Sequence, residues 1–201
     1  MQQIIDFIIE IDKLKGVTRK TRPLGLDRQE NSAEHSWQIA LLASSLVLYA
    51  VEPVHIDHVI AMLLVHDIGE IDTGDTIAYA IGGWEERKLA ELTAVTRIFS
   101  LLPDALRDRY LALWKEFEAG ETADARFANA ADRAMPVLLN LANSGQSWRE
   151  NGITHERVVA RVRGQIEGGC PALWAYLEGQ LSDAQAHGWF GAVEPTTGHV
   201  S

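Results

Sequence analysis

The chain has 201 residues, 47% hydrophobic and 23% charged, with a formal net charge of −10. This balance excludes a general nucleic-acid or membrane-surface binder, because an acidic average field repels phosphate-rich partners; it leaves enough apolar material for one domain with its own core. The single cysteine, Cys170, excludes an internal disulfide framework and a thiolate metal site, and it suits a reducing cytoplasm.

In chain order, the N-terminal stretch MQQIIDFIIEIDKLK carries acidic residues inside its apolar run and lacks a small-residue cleavage site. It reads as an amphipathic helix with Ile4, Ile5, Ile8, Ile11 and Leu14 on one side. Gly16 ends it, and residues 16–31 form a polar loop with Pro23 and Gly25. Asn31, three residues before Glu34, opens a second helix through a variant of the capping box, running to about Ala50. Its apolar run, IALLASSLVLYAV, falls short of the ~20 residues that a membrane span needs. Pro53 separates it from a third helix at 55–67, followed by a Gly- and Asp-rich turn at 69–75 and a break at Gly82-Gly83. Further helices are expected near 84–101, 103–119, 122–143 and 154–167, and a last one begins at Pro171. The expectation is an all-α single domain over residues 1–188, with a tail at 189–201 that frays or drapes over the surface.

Several ionisable residues fall on apolar helix faces. His35 shares the core-facing stripe of the second helix with Ile39, Leu42 and Leu46. On the third helix Val59, Leu63 and His66 form one line, and Ile60, Leu63 and Asp67 the next, so His66 and Asp67 both project inward. Asp132 sits among Phe127, Ala128, Ala131, Met135 and Val137, and Pro136 removes the helical partner of its carbonyl and favours a kink. A buried, unpaired carboxylate costs several kcal/mol in practice. Convergence of two imidazoles and two carboxylates from three helices would offset that cost by holding a divalent ion, with Mn²⁺, Fe²⁺ or Co²⁺ the best match and Mg²⁺ or Zn²⁺ also compatible. Such a site leaves open positions on the metal, which suits catalysis. The other histidines, His55, His58, His155, His187 and His199, lie in polar or terminal surroundings and are not candidate ligands.

The pattern H…HD…D, met by His35, His66-Asp67 and Asp132, resembles the HD-domain phosphohydrolase superfamily, so the expected fold is a single HD-domain helical bundle. ENSAEHSWQIA and VHDIGEIDTGD resemble the YfbR-like branch of 5′-deoxynucleotidases, with similarity running from about Leu14 to Asn140. The resemblance implies that His35, His66, Asp67 and Asp132 ligate the metal and that Glu70 orients or deprotonates the attacking water. It further implies that Asp75 supports that water and the leaving oxygen, and that Arg19 clamps the substrate phosphate. Members of that branch carry a Trp after the Arg. Here Lys20 and Thr21 follow, and Arg22 competes with Arg19 for the phosphate role. A homodimer is also implied.

A basic run, Lys13, Lys15, Arg19, Lys20, Arg22 and Arg28, precedes the His35 helix, where a dianionic phosphate would need cations. The function expected is a cytoplasmic, metal-dependent phosphohydrolase, a 5′-nucleotidase acting on (deoxy)nucleoside 5′-monophosphates. The alternatives are an HD enzyme for another phosphorylated substrate and a nucleotide-binding HD domain without turnover. A ferritin-like di-metal bundle needs two ExxH pairs on separate helices; only Glu52–His55 has the spacing, with Pro53 inside it.

Overall fold

Three helix starts in this chain, at Asn31, Thr122 and Thr154, are set by side chains that satisfy otherwise unpaired backbone donors. The computed structural model describes residues 1–75 and 83–191. In chain order the helices are α1 (Gln2–Ile11), α2 (Ser32–Leu46), α3 (Ile56–Val65), the single turn α4 (Glu70–Thr73), α5 (Trp84–Phe99), α6 (Asp104–Ala119), α7 (Ala123–Ala142), the short α8 (Gln146–Glu150), α9 (His155–Gly169) and α10 (Pro171–Ala186). Asn31 and Glu34 form the expected capping box at α2, the Glu34 N–H donating to Asn31 Oδ1 at 2.9 Å. Thr122 and Thr154 cap α7 and α9 one way only, their hydroxyl oxygens accepting from the Ala125 and Arg157 N–H groups, and Pro171 occupies the first turn of α10. Among the described residues there is no sheet, only an isolated bridge between Thr18 and Asn31. No described helix is long and apolar enough to cross a membrane.

The all-α expectation holds, and α7 is its axis. Its small residues Ala125, Ala128, Ala130, Ala131 and Ala134 are buried and let α2, α3, α6, α9 and α10 approach closely. Gly169, at the end of α9, is part of that approach: a Cβ there would lie 2.3 Å from the Arg126 carbonyl oxygen. The helix runs through Pro136 without interruption.

Two readings need correction. In α1 the core-facing residue is Phe7, against Phe99 and Tyr110, while Ile5, Ile8 and Ile9 are exposed. The helix rests on α5 by one narrow edge, so its isoleucines outnumber the positions that packing can cover. The third helix ends at Val65, and the chain continues as tight turns, with Ile68 N–H on Val65 O and Glu70 N–H on Asp67 O, before α4. The described start of the tail lies against the domain: Phe190 stacks on Trp148 with centroids 4.5 Å apart, and the Gly191 N–H donates to Ile153 O. Gly82 and residues 192–201, including His199, lie outside the described residues.

Candidate active site

Three helices deliver their polar residues to one buried point. His35 comes from α2, His66 from the turn that ends α3, and Asp132 from the middle of α7. Each offers a donor atom, and these atoms lie within 4.8 Å of one another. His35 Nε2 is 2.9 Å from Asp132 Oδ1, and His66 Nε2 is 3.7 Å from the same oxygen. Among the described residues no other group of His, Cys, Asp or Glu converges in this way. His55 and His58 instead pair with Asp124 and Glu116, away from the cluster.

His66 is held in a particular tautomer. Its Nδ1 faces the Leu63 carbonyl at 2.8 Å, and a carbonyl can only accept, so Nδ1 carries the hydrogen and Nε2 points inward. Trp114 Nε1–H donates to the His66 carbonyl at 3.0 Å, and Phe117 packs on the imidazole, so α6 braces the residue from behind. His66 Nε2 is buried and makes no hydrogen bond, although Asp67 Oδ1 stands 3.0 Å away; His35 Nδ1 is likewise buried and unpartnered. A buried nitrogen facing carboxylates, with its other nitrogen fixed by a backbone acceptor, is placed to exchange a proton for a borderline divalent cation.

Asp67 stands at the edge of this cluster. One oxygen faces His66, and the other accepts from Arg19 Nη1 at 2.9 Å. Arg19 also lies 3.9 Å from Asp75 and 3.7 Å from the buried Glu30. It reaches this position because the 17–31 loop folds back on itself: Arg19 N–H bonds Glu30 O, Glu30 N–H bonds Thr21 O, and Thr21 Oγ1–H donates to Glu30 Oε2 at 2.7 Å. Glu70, delivered by α4, accepts from Ser32 Oγ at 2.5 Å. Gly69, just before it, packs closely on α5: a Cβ there would sit 3.2 Å from Val95 and 3.3 Å from the Glu91 carbonyl, so a larger residue would have to push its neighbours back by a few tenths of an ångström.

The electrostatics follow from burying this many charges together. Burial, and then the neighbouring Asp67 carboxylate, push Glu70 up to about 9 despite Arg19 and Ser32. Burial and Asp67 also raise Asp75, against the pull of Arg19. Burial alone would depress His66, but Asp67 and Asp132 outweigh it and carry the imidazole up to about 10. Burial opposes the ionisation of Asp67 and Asp132, yet His66 and Arg19 hold Asp67 down at about 2, and Arg133 with the histidines holds Asp132 well below the usual range. Without a metal, the cluster therefore keeps protons on His66 and Glu70.

A cavity of about 420 Å³ opens beside the cluster, lined by Arg19, Lys20, His66, Asp67, Glu70, Asp75 and Asp132 on one side. The six-residue basic run disperses on folding. Lys13, Lys15 and Arg28 pair with Glu10, Asp12 and Glu34, so Arg19 and Lys20 alone of that run line the cavity. Arg22 is not among the lining residues; it faces Asp27 at 3.1 Å and Glu150 at 3.3 Å. Sequence reasoning passed over Ser32 and Glu30, the supports of Glu70 and of the Arg19 loop, although both stand in the quoted ENSAEHS segment. It also passed over the cavity lining from α8 and α9, including Trp148, Arg161 and Gln165, for which no local signal exists.

The model of the HD domain family matches residues 11–174 of this chain. The chain belongs to the HD domain family. A metal-dependent phosphohydrolase from Magnetospirillum magnetotacticum MS-1, described in its crystal structure as predicted, is 42% identical, with a TM-score of 0.88 over 94% of this chain and 97% of its own. The human 5′-deoxynucleotidase HDDC2 is 27% identical over 68% of this HD-domain chain, and the match spans 66% of the human protein's length. A 5′-deoxynucleotidase of Erwinia tasmaniensis is 27% identical over 79% of the chain and 85% of its own length. An HD-domain phosphohydrolase of Listeria innocua, 18% identical with a TM-score of 0.64, shares the fold.

Proposed function

We propose that this HD-domain protein is a metal-dependent phosphohydrolase that releases phosphate from nucleoside 5′-monophosphates. The observation that carries the reading is the meeting of His35, His66 and Asp132, with His66 Nε2 buried and unbonded, at the wall of a cavity that Arg19 and Lys20 also line. The similarity to proteins named 5′-deoxynucleotidase and metal-dependent phosphohydrolase supports the same class.

In this reading His35, His66, Asp67 and Asp132 hold the cation, with Mn²⁺, Co²⁺ or Fe²⁺ the best match to two imidazoles and two carboxylates. A divalent ion so held supplies Lewis acidity toward the phosphoryl group and acidifies water. Glu70 holds a water by one carboxylate oxygen while Ser32 fixes the other; it takes the water's proton as the water oxygen bonds to phosphorus and the ester P–O5′ bond breaks, and the 5′ oxygen leaves as the nucleoside hydroxyl with a proton from solvent water in the open cavity. Arg19 exchanges part of its contact with Asp67 for the substrate phosphate, and Asp75 keeps the guanidinium oriented. Lys20, in place of a Trp beside the sugar, removes the flat surface that would reject a 2′-hydroxyl, so ribonucleotides are accepted as well. The enzyme is cytoplasmic and homodimeric in this reading; exposed Trp37 and Leu41 on α2, and Leu48 just after it, support a shared apolar surface, and sedimentation of the purified chain tests it.

The deciding experiment is phosphate release by the Mn²⁺-loaded chain from matched ribo- and deoxyribonucleoside 5′-monophosphates, with 3′-monophosphates as controls. Release from the 5′ esters alone is expected. No release from any of them by the metal-loaded protein would reject the nucleotidase reading.

A further inference from the structure

The cavity continues along α7 past Asp132, and the polar groups beyond that residue take no part in the chemistry above. Asp132, Pro136 and Asn140 line it at intervals of four residues, so this arm runs roughly 12 Å at an α-helical rise. That is comparable with the reach from phosphate to base in a mononucleotide. Arg133 Nη1 stands 3.6 Å from Asp132 Oδ2, whereas both histidines face Oδ1, so the arm begins on the other side of that carboxylate from the metal donors. Arg133, Arg161 and Gln165 form its wall, and Trp148 and Ile153 its far end.

Its hydrogen-bonding character is one-sided. Arg133 Nε–H donates to Gln165 Oε1 at 3.0 Å. A guanidinium only donates, so this contact identifies the amide oxygen and leaves both hydrogens of Gln165 Nε2 for another acceptor. Asn140 is held in place, its Nδ2 donating to Pro136 O at 2.9 Å and its Oδ1 accepting the Trp148 N–H at 3.3 Å. Beside an apolar end, the arm therefore offers the two Gln165 Nε2 hydrogens and the Arg133 N–H groups not turned toward Gln165 or Asp132. The charge of Arg133 is shared with Asp132, which favours a neutral acceptor over a second anion.

We propose that this arm selects the nucleobase and prefers bases whose edge presents a carbonyl, guanine and thymine or uracil, over adenine and cytosine. Guanine O6 with N7, or thymine O4, accepts from such donors, whereas the amino groups of adenine and cytosine would oppose them. A donor meeting a donor in a half-buried site leaves both unsatisfied. The inference rests on the nucleotidase reading for the phosphate end of the substrate, but it is tested by binding.

The experiment titrates the Mn²⁺-loaded full chain by calorimetry with the 5′-methylenephosphonate analogues of deoxyguanosine and deoxyadenosine, whose C–P bond is not hydrolysed. The guanine analogue should bind roughly 10-fold more tightly, as expected for one good hydrogen-bonding pair. Gln165→Leu should bring the ratio close to one, and Gln165→Glu, which replaces donors with acceptors, should lower it further. A ratio within one protein is insensitive to the fraction folded. Equal binding in the native chain, a ratio unmoved by either substitution, or no binding of either analogue would overturn the inference. Tighter binding of a nucleoside 3′,5′-bisphosphate with no base preference would overturn it in favour of a second anion. Base-selective binding without phosphate release from the natural nucleotides would instead remove the nucleotidase reading and leave the arm's selectivity standing.

Discussion

At the scale of single residues, the site is a problem of excess negative charge. Asp67, Glu70, Asp75 and Asp132 share one region with Arg19 as the cation that reaches Asp67 and Asp75 together. Glu70→Gln keeps the shape and the Ser32 contact but cannot take a proton. We expect it to retain metal and lose turnover by about 10²- to 10⁴-fold, measured as kcat beside metal content; turnover within a few-fold of the native chain would mean that Glu70 does not handle the water. Arg19→Ala is expected to raise KM more than it lowers kcat, and also to lower Tm, because buried Glu30 and Asp67 lose their cation together. Arg22→Ala, outside the cavity lining, should leave KM within about twofold, in the range of an ordinary surface change.

At the scale of elements, ligand placement depends on how helices begin and end. The Asn31–Glu34 capping box sets the first turn of α2, and His35 follows one residue later, so the cap fixes the register of a metal donor. Asn31→Ala should cost about 1 kcal/mol in urea unfolding, the usual worth of such a cap. It should also weaken metal binding measurably, and unchanged metal affinity would separate the cap from the site. The end of α3 matters in the opposite sense. Had the helix continued, Glu70 would follow Asp67 at regular spacing; instead tight turns and the Gly69–α5 contact bring its carboxylate beneath Ser32. The periodicity of IAMLLVHD pointed to inward His66 and Asp67 correctly, because a 3.6-residue repeat is local. It could not locate Glu70, whose position depends on where the helix stops.

At the scale of the molecule, the site links stability to metal and pH. In the chelated protein His66 and Glu70 have raised pKa values, about 10 and about 9. For each group the native state binds more protons than the unfolded chain between the ordinary and the raised value, so its contribution falls as pH rises through that interval. Chelated protein should therefore lose Tm steadily from about pH 7 toward pH 10, in the direction linkage requires. Metal-loaded protein should hold its Tm over that range, because the cation replaces the protons and binds the native state preferentially. Metal binding at pH 7 should release protons to the buffer, fewer in Glu70→Gln, as read by calorimetry in buffers of different ionisation enthalpy. A Tm indifferent to chelator, metal and pH would remove the cation from the account.

The sequence by itself determined the helical class, most helix positions and the identity of the inward-facing His35, His66, Asp67 and Asp132. Those depend on caps, proline and glycine stops and apolar periodicity, all of which act within a few residues. Tertiary structure alone decided which cation meets the site. Arg19 and Arg22 are equivalent in a polar loop until the loop folds on Glu30, turning one toward Asp67 and leaving the other against Asp27 and Glu150. It also decided that Phe7, not the neighbouring isoleucines, anchors α1, and that α9 supplies the far wall of the cavity from thirty residues beyond Asp132. Such outcomes are set by packing between elements distant in the chain, where no single segment carries the information.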